Sequence, residues 1–188
     1  DLIRSRGLGD VYKRQISHVI QRGHYDVKSL NNDMSEQIFH TYLENIDGQK
    51  RYFLQSDYRE FSKYMFQIDD QIRNLDLTFF DLTYQRLILR MNEVESLYGS
   101  LLSSPFDFEK EEEFDTDYDE QFYPLSQKAR SEKWRKQLKL STLSVLYDKM
   151  KEAENNDETM PAYFSSSWMA LEAEARTTTR ENMEDFFD

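Results

Sequence analysis

Apolar positions recur at helical spacing along most of the chain. Between Asp33 and Asp47, the residues Ile38, Phe39, Tyr42, Leu43 and Ile46 fall at i, i+1, i+4, i+5 and i+8, one stripe of a helix. Asp33 and Glu36 have the spacing of a capping box at its start, and Asp47-Gly48 ends it. A second pattern opens at Ser56 or Asp57, both good N-cap residues, and runs through Phe61, Tyr64, Met65, Ile68 and Ile72. A longer one covers Leu77 to Leu102, with Pro105 just beyond it. Its apolar residues span a wide arc, from Phe79 and Phe80 through Leu87, Ile88 and Met91 to Leu101, which predicts a central helix. From Ser126 to Asn155, Trp134, Leu138, Val145, Leu146 and Met150 mark the core face of another helix. A short helix is expected from Ile16 to Arg22, before Gly23. A last one is expected from about Ser165 to the C-terminal residue, after the breaks at Asn155-Asn156-Asp157 and Pro161. No internal repeat of fixed period is present. The fold class that follows is all-α: an irregular domain of five to six helices.

One stretch breaks the helical pattern. Pro105-Phe106-Asp107-Phe108 leads into residues 107–120, where Glu109, Glu111, Glu112, Glu113, Asp115, Asp117, Asp119 and Glu120 crowd together. Like charges at this density repel one another and favour an extended, solvated loop, while Phe108, Phe114 and Tyr118 offer rings to pin it to the helical body. The helix that follows begins with Lys128, Arg130, Lys133, Arg135, Lys136 and Lys139, a basic stripe suited to answer the acidic loop or to solvate the helix face.

Composition narrows the classes. Aromatic residues make up 14% of the chain, so a core of Phe, Tyr, Leu and Ile is available although 32% of residues are charged. Only 5 Gly and 3 Pro occur, which favours long helices over β structure. The net charge of −12 opposes binding to a phosphate backbone, so no nucleic-acid partner is expected. No segment reaches the roughly 18 apolar residues of a membrane span. The absence of cysteine excludes disulfides and thiol catalysis without fixing a compartment.

Candidate chemistry is sparse. Asp115, Asp117 and Asp119 alternate like the first ligands of a calcium loop, but Glu120 and Ser126 stand where such a loop needs Gly and a bidentate Glu. His18, His24 and His40 form no metal-binding pair; His24 with Tyr25 suits a corner, and His40 lies off the apolar stripe. Ser126 and Lys128 could be paired as nucleophile and base, yet they open a helix with no glycine nearby, so capping is the expected role. No glycine-rich phosphate loop is present. No catalytic, cofactor-binding or metal-binding residue is assigned, and no cofactor is expected.

Both ends invite separate readings. Residues 1–15 lack apolar periodicity and are locally basic, through Arg4, Arg6, Lys13 and Arg14. The string GLGDVYKRQ resembles translated adaptor or assembly sequence, so this segment is expected to be non-native and is set aside from fold reasoning. At the other end, Met183, Phe186 and Phe187 form an apolar patch with nothing after it to pack against. The expectation is a domain over 16–188 that is cut short inside a helix and is therefore marginal in stability.

A series of short motifs carries a family resemblance. His24-Tyr25 is followed by Ser35-Glu36-Gln37-Ile38-Phe39 with Tyr42-Leu43 and Asp47. Then come Tyr52-Phe53-Leu54 with Ser56-Asp57 and Phe61, next Pro105-Phe106-Asp107-Phe108, and last Trp134-Arg135-Lys136. In this order they resemble the N-terminal domain of the tail-specific proteases, the long periplasmic carboxy-terminal processing peptidases, in the Tyr- and Phe-rich form of the Bacteroidetes. The resemblance implies a parent enzyme of the cell envelope or periplasm, a serine-type endopeptidase with a Ser/Lys dyad and a PDZ module. Neither the PDZ module nor the dyad falls in this chain, so the expected role here is non-catalytic. The domain would be a scaffold that helps to enclose substrate, or a docking site for an adaptor protein. Its partners would be protein substrates, the PDZ and protease regions of the same parent chain, and possible adaptors. An exposed groove lined by Tyr and Phe, near the 77–102 helix or the acidic loop, is the expected contact surface, against the plainer reading that these rings fill the core. The alternative function is a free-standing acidic helical adaptor or structural protein with no protease attached.

Overall fold

The computed structural model describes residues 30–155 and 160–187. The helix expected over Ile16 to Arg22, with His18, His24 and Tyr25, lies outside the described residues, as does the segment 1–15. The described residues form six α-helices and no strand, an all-α arrangement.

Helix α1 spans Asn32–Asp47. Its cap is Asn31 rather than Asp33: the Asn31 backbone is extended, and its Oδ1 accepts from the Met34 amide at 3.0 Å. Asp33 instead sits in the first turn, where its charge favours the helix dipole. Ser35, Phe39, Leu43 and Asp47 are buried every fourth residue along one line. At the end of α1, a Cβ on Gly48 would come within 2.7 Å of the Glu44 carbonyl oxygen, so the turn requires glycine.

Sequence periodicity predicts one helix from Ser56 or Asp57 past Ile72. The structure divides it. Helix α2 is Gln55–Phe61, a 3-10 turn covers Ser62–Tyr64, and α3 is Ile68–Asn74. The cause lies outside the segment. The Ser35 hydroxyl on α1 accepts from the Ile68 amide at 2.8 Å and lies 3.4 Å from the Asp69 amide. A cap supplied from another helix lets the chain restart in a new direction, with α3 packed against α1. Apolar phase alone is the same for a continuous helix and a broken one, so the break leaves no trace in the pattern.

Helix α4 is Thr78–Leu101 and α5 is Gln127–Asn155, close to the expected spans. Ser126 caps α5, its hydroxyl accepting from the Ala129 amide at 3.2 Å. Helix α6 is Met160–Phe187 and begins earlier than Ser165, with Pro161 inside its first turn. Proline is tolerated there because the first helical amides lack intrahelical acceptors.

Three apolar clusters hold the elements. Phe39, Leu43, Phe53, Phe61, Ile68 and Phe79 join α1, α2, α3 and the start of α4. Tyr52, Val94, Leu102, Trp134 and Leu138 join the end of α4 to α5. Leu146, Leu171 and Ala175 join α5 to α6, which run antiparallel and share a buried Thr142–Thr179 hydroxyl bond of 3.1 Å. The apolar end of α6 finds partners, contrary to the sequence expectation. Met183 and Phe187 pack on the second cluster, Phe187 stacks on Tyr98 at 5.6 Å, and the Arg51 guanidinium lies 5.0 Å from the Phe186 ring. These partners lie on other helices far away in sequence, which is why periodicity did not reveal them.

Candidate functional site

The outer surface of α4 is set by what its inner surface holds. Arg86 and Arg90 share the phase of Phe79, Thr83 and Val94 and therefore point inward. Asp57, fully buried on α2, accepts from Arg90 Nε and Nη2 at 2.9 Å each, from Arg86 Nη1, and from the Leu54 amide at 2.9 Å. Arg86 also reaches Glu60 at 2.7 Å, and Arg90 holds both oxygens of Glu93 at 3.0 and 2.9 Å. Arg130 on α5 completes the network, donating to Glu93 and to the Tyr52 carbonyl. Burial pushes the Asp57 carboxyl up, but Arg90, the Leu54 amide and Arg86 together outweigh it and hold the group below its ordinary range.

This network takes both cations of α4 out of the solvent-facing side. That side carries Leu77, Phe80, Tyr84 and Ile88, exposed by 47, 47, 52 and 40%. Phe80 and Tyr84 stack at 5.9 Å with an interplanar angle of 8°. Around them lie Asp76, Asp81, Gln85, Asn92 and Glu95, all exposed. The helix that the sequence places at the centre is therefore buried on one side only. Its wide apolar arc supplies both a core face and an uncovered aromatic and aliphatic stripe with an acidic border. Six other rings are core: Phe39, Phe53, Phe61, Phe79, Tyr52 and Trp134 are all buried.

The acidic loop is pinned rather than freely solvated. Glu112 is the acid that turns inward, and it binds Arg135, Lys139 and Lys110 of the basic stripe and its surroundings. Arg135, Lys139 and Lys110 hold its carboxyl far below the ordinary range. Phe106 packs on the second cluster, Phe108 meets Trp168 edge-on at 5.9 Å, and Lys133 lies over the Tyr118 ring at 5.3 Å. The basic stripe thus answers the loop, as its position in the sequence suggested.

The remaining candidates do not converge. Asp115, Asp117 and Asp119 are exposed, and Asp115 Oδ1 accepts from the Asp117 amide at 2.9 Å, a turn-forming role. Among the described residues no group of three or more His, Asp or Glu is arranged to hold a metal ion. His40 is exposed with its ring edge-on to Phe39 at 5.3 Å. The Ser126 hydroxyl serves the α5 cap, and Lys128 is exposed. Sequence reasoning missed Asp47, whose buried carboxylate accepts from the amides of Arg51, Tyr52 and Phe53 at 2.9, 3.0 and 2.8 Å. Its own signal was present, since Asp47 follows Phe39 and Leu43 at four-residue steps on the buried line.

A family model described as the tail specific protease N-terminal domain matches residues 16–188. The chain belongs to this family. A tail-specific protease of Haemophilus influenzae is 29% identical over 135 residues, which cover 71% of this chain and 19% of that protein. The chain thus spans about a fifth of the length of the curated relative it matches. The tail-specific protease N-terminal domain is here an all-α unit in which a buried ion network fixes α4 and leaves its aromatic stripe uncovered. Among the described residues no helix is long and apolar enough to cross a membrane.

Proposed function

We propose that this chain is the non-catalytic N-terminal domain of a serine-type carboxy-terminal processing endopeptidase of the periplasm or cell envelope. Its role is to contact protein, as a scaffold that helps to enclose substrate or as a dock for an adaptor. The observation that carries this reading is the outer stripe of α4. Leu77, Phe80, Tyr84 and Ile88 leave a continuous apolar surface open on a chain of net charge −12, and such surfaces mark protein contacts. Aromatic residues are also the side chains that most often anchor interfaces.

The test uses the full-length parent enzyme carrying Phe80→Ser and Tyr84→Ser together. Both rings are about half exposed, so the fold is expected to persist in far-ultraviolet circular dichroism. Labelling by a serine-directed reagent and cleavage of a short peptide should remain, while turnover of a folded protein substrate falls several-fold. Unchanged turnover of protein substrate would remove the contact role. Absence of serine labelling in the unmodified parent would remove the serine-type assignment.

A further inference from the structure

The turn after α1 is organised by one carboxylate. Asp47, the last residue of α1, is buried, and its Oδ1 accepts from the Arg51 amide at 2.9 Å. Its Oδ2 accepts from two amides, Tyr52 at 3.0 Å and Phe53 at 2.8 Å. The two oxygens are therefore unequally loaded. A carboxyl that takes up a proton keeps one oxygen as a carbonyl acceptor and turns the other into a hydroxyl. Oδ2 serves two amides, so Oδ1 is where the proton goes, and the Arg51 amide is the one that loses its acceptor.

Arg51 is also the residue that holds the last turn of α6. Its guanidinium lies 5.1, 5.2 and 5.0 Å from the ring centroids of Tyr52, Trp134 and Phe186. A cation shared by an α5 ring and an α6 ring joins the two helices, and its attraction depends on its place over the ring faces. The Arg51 carbonyl fixes that place from the backbone, accepting from the Trp134 indole N–H at 2.9 Å. Two other contacts of the α6 end, Phe187 on Tyr98 and Met183 on the second cluster, do not pass through Arg51.

The groups around Asp47 leave it as the titrating member. Arg51 and Tyr52 follow it in the chain, Lys133 faces it from α5, and Tyr123 faces it from the segment before α5. Asp47 also lines a cleft with His40, Glu44, Lys50, Arg59, Asp119 and the stacked Tyr58–Tyr123 pair. His40, Glu44, Arg59 and Asp119 are exposed, so water and salt screen them. Burial pushes the Asp47 carboxyl up to about 6, against the pull of its three amides and of Arg51. Burial moves the Tyr52 and Tyr123 phenols the same way, further from neutrality.

We propose that Asp47 is an acid-sensitive latch, whose protonation frees the Arg51 amide, loosens the Arg51 guanidinium from Phe186 and releases the last turn of α6 from α5. Phe187 and Met183 keep the helix docked, so the release is local. The fold as a whole gains from the same proton, because the buried charge is neutralised, so the release is not a step of unfolding. The latch involves none of the α4 stripe residues and stands whether or not the protease reading holds.

The test is the tryptophan emission of the full 188-residue chain carrying Trp168→Phe, which leaves Trp134 as the single indole. From about pH 7.5 down to about pH 5, emission is expected to shift to longer wavelength with one midpoint near 6. Amide exchange at Phe186 and Phe187, divided by its intrinsic rate, should rise about threefold or more over the same interval. Asp47→Asn, neutral at every pH, should fix the emission at its acid value. Arg51→Met, at a part-exposed position, should remove most of the shift, which keeps the latch testable if Asp47→Asn fails to fold. His18→Gln, His24→Gln and His40→Gln together should leave the midpoint in place. Flat emission over this interval, a shift lost with the histidines, or one undiminished in Arg51→Met would each overturn the proposal.

Discussion

The Asp57 carboxylate is fully buried yet ionised, because two guanidinium groups and one amide replace the water it loses. Removing it leaves the Nε and Nη2 donors of the almost wholly buried Arg90 without an acceptor, while Nη1 keeps Glu93. Asp57→Ala is therefore expected to cost about 3–5 kcal/mol in urea unfolding, the range for breaking a buried ion pair from one side. Glu93→Ala should cost less, since Glu93 remains partly in contact with water and its loss leaves Arg90 bound to Asp57 and Arg130 bound to the Tyr52 carbonyl. Equal losses from the two variants would show that burial does not set the magnitude. The same residue decides what the protein shows outside. Asp57 draws the cations of α4 inward and so leaves Leu77, Phe80, Tyr84 and Ile88 without a basic neighbour on their helix.

At the scale of an element, α3 is the clearest case of a short helix held from outside. Seven residues are too few to persist alone in water, and propensity contributes little. The Ser35 hydroxyl on α1 closes its start, and Ile68 anchors it in the first cluster. Its C-terminus is closed by Leu75 in the left-handed region, φ 57° and ψ 34°, with the Leu75 amide donating to the Ile72 carbonyl and the Asp76 amide donating to the Gln71 carbonyl. Glycine takes that backbone without the Cβ penalty. Leu75→Gly is expected to stabilise the domain by about 1 kcal/mol, the lower end of the left-handed cost for an L-residue. The check is a rise in the urea midpoint with an unchanged m-value. A fall would mean that the Leu75 side chain contributes more through packing than its backbone loses. Helix α4 differs in kind: long enough to form from its own pattern, it owes to its neighbours only which side of its arc they cover.

For the molecule as a whole, acid and base act in opposite senses at different carboxyls of the core and its edge. Asp57 and Glu93 sit below their ordinary pKa values, so their contribution is complete above about pH 4.5 and is lost as the pH falls through their folded values. Asp47 is the reverse. Burial pushes it up to about 6 against the pull of three amides, so the folded chain binds that proton more tightly than the unfolded chain. Between about pH 4 and 6 its ionisation should withdraw up to about 3 kcal/mol as the pH rises. A carboxyl carbon titration by NMR should place the Asp47 midpoint near 6, with unfolding stability declining over the same interval. A midpoint at the ordinary value of 3.8 would mean that the three amides fully offset burial. Periodicity along the chain was enough to specify an all-α fold, the spans of α1, α4 and α5 and the non-helical acidic segment, because spacing of apolar residues is a local property. The ordered motifs from Ser35 to Trp134 were likewise enough to indicate the family, since they are strings of residues that need no partner to be read. The split between α2 and α3, the partners of Phe187, the inward turn of Arg86 and Arg90 and the cleft over Tyr58 and Tyr123 were decided only in three dimensions. Each of these depends on a group from a distant part of the chain, and a helical stripe carries the same pattern whether its far side meets solvent, a core or a ligand.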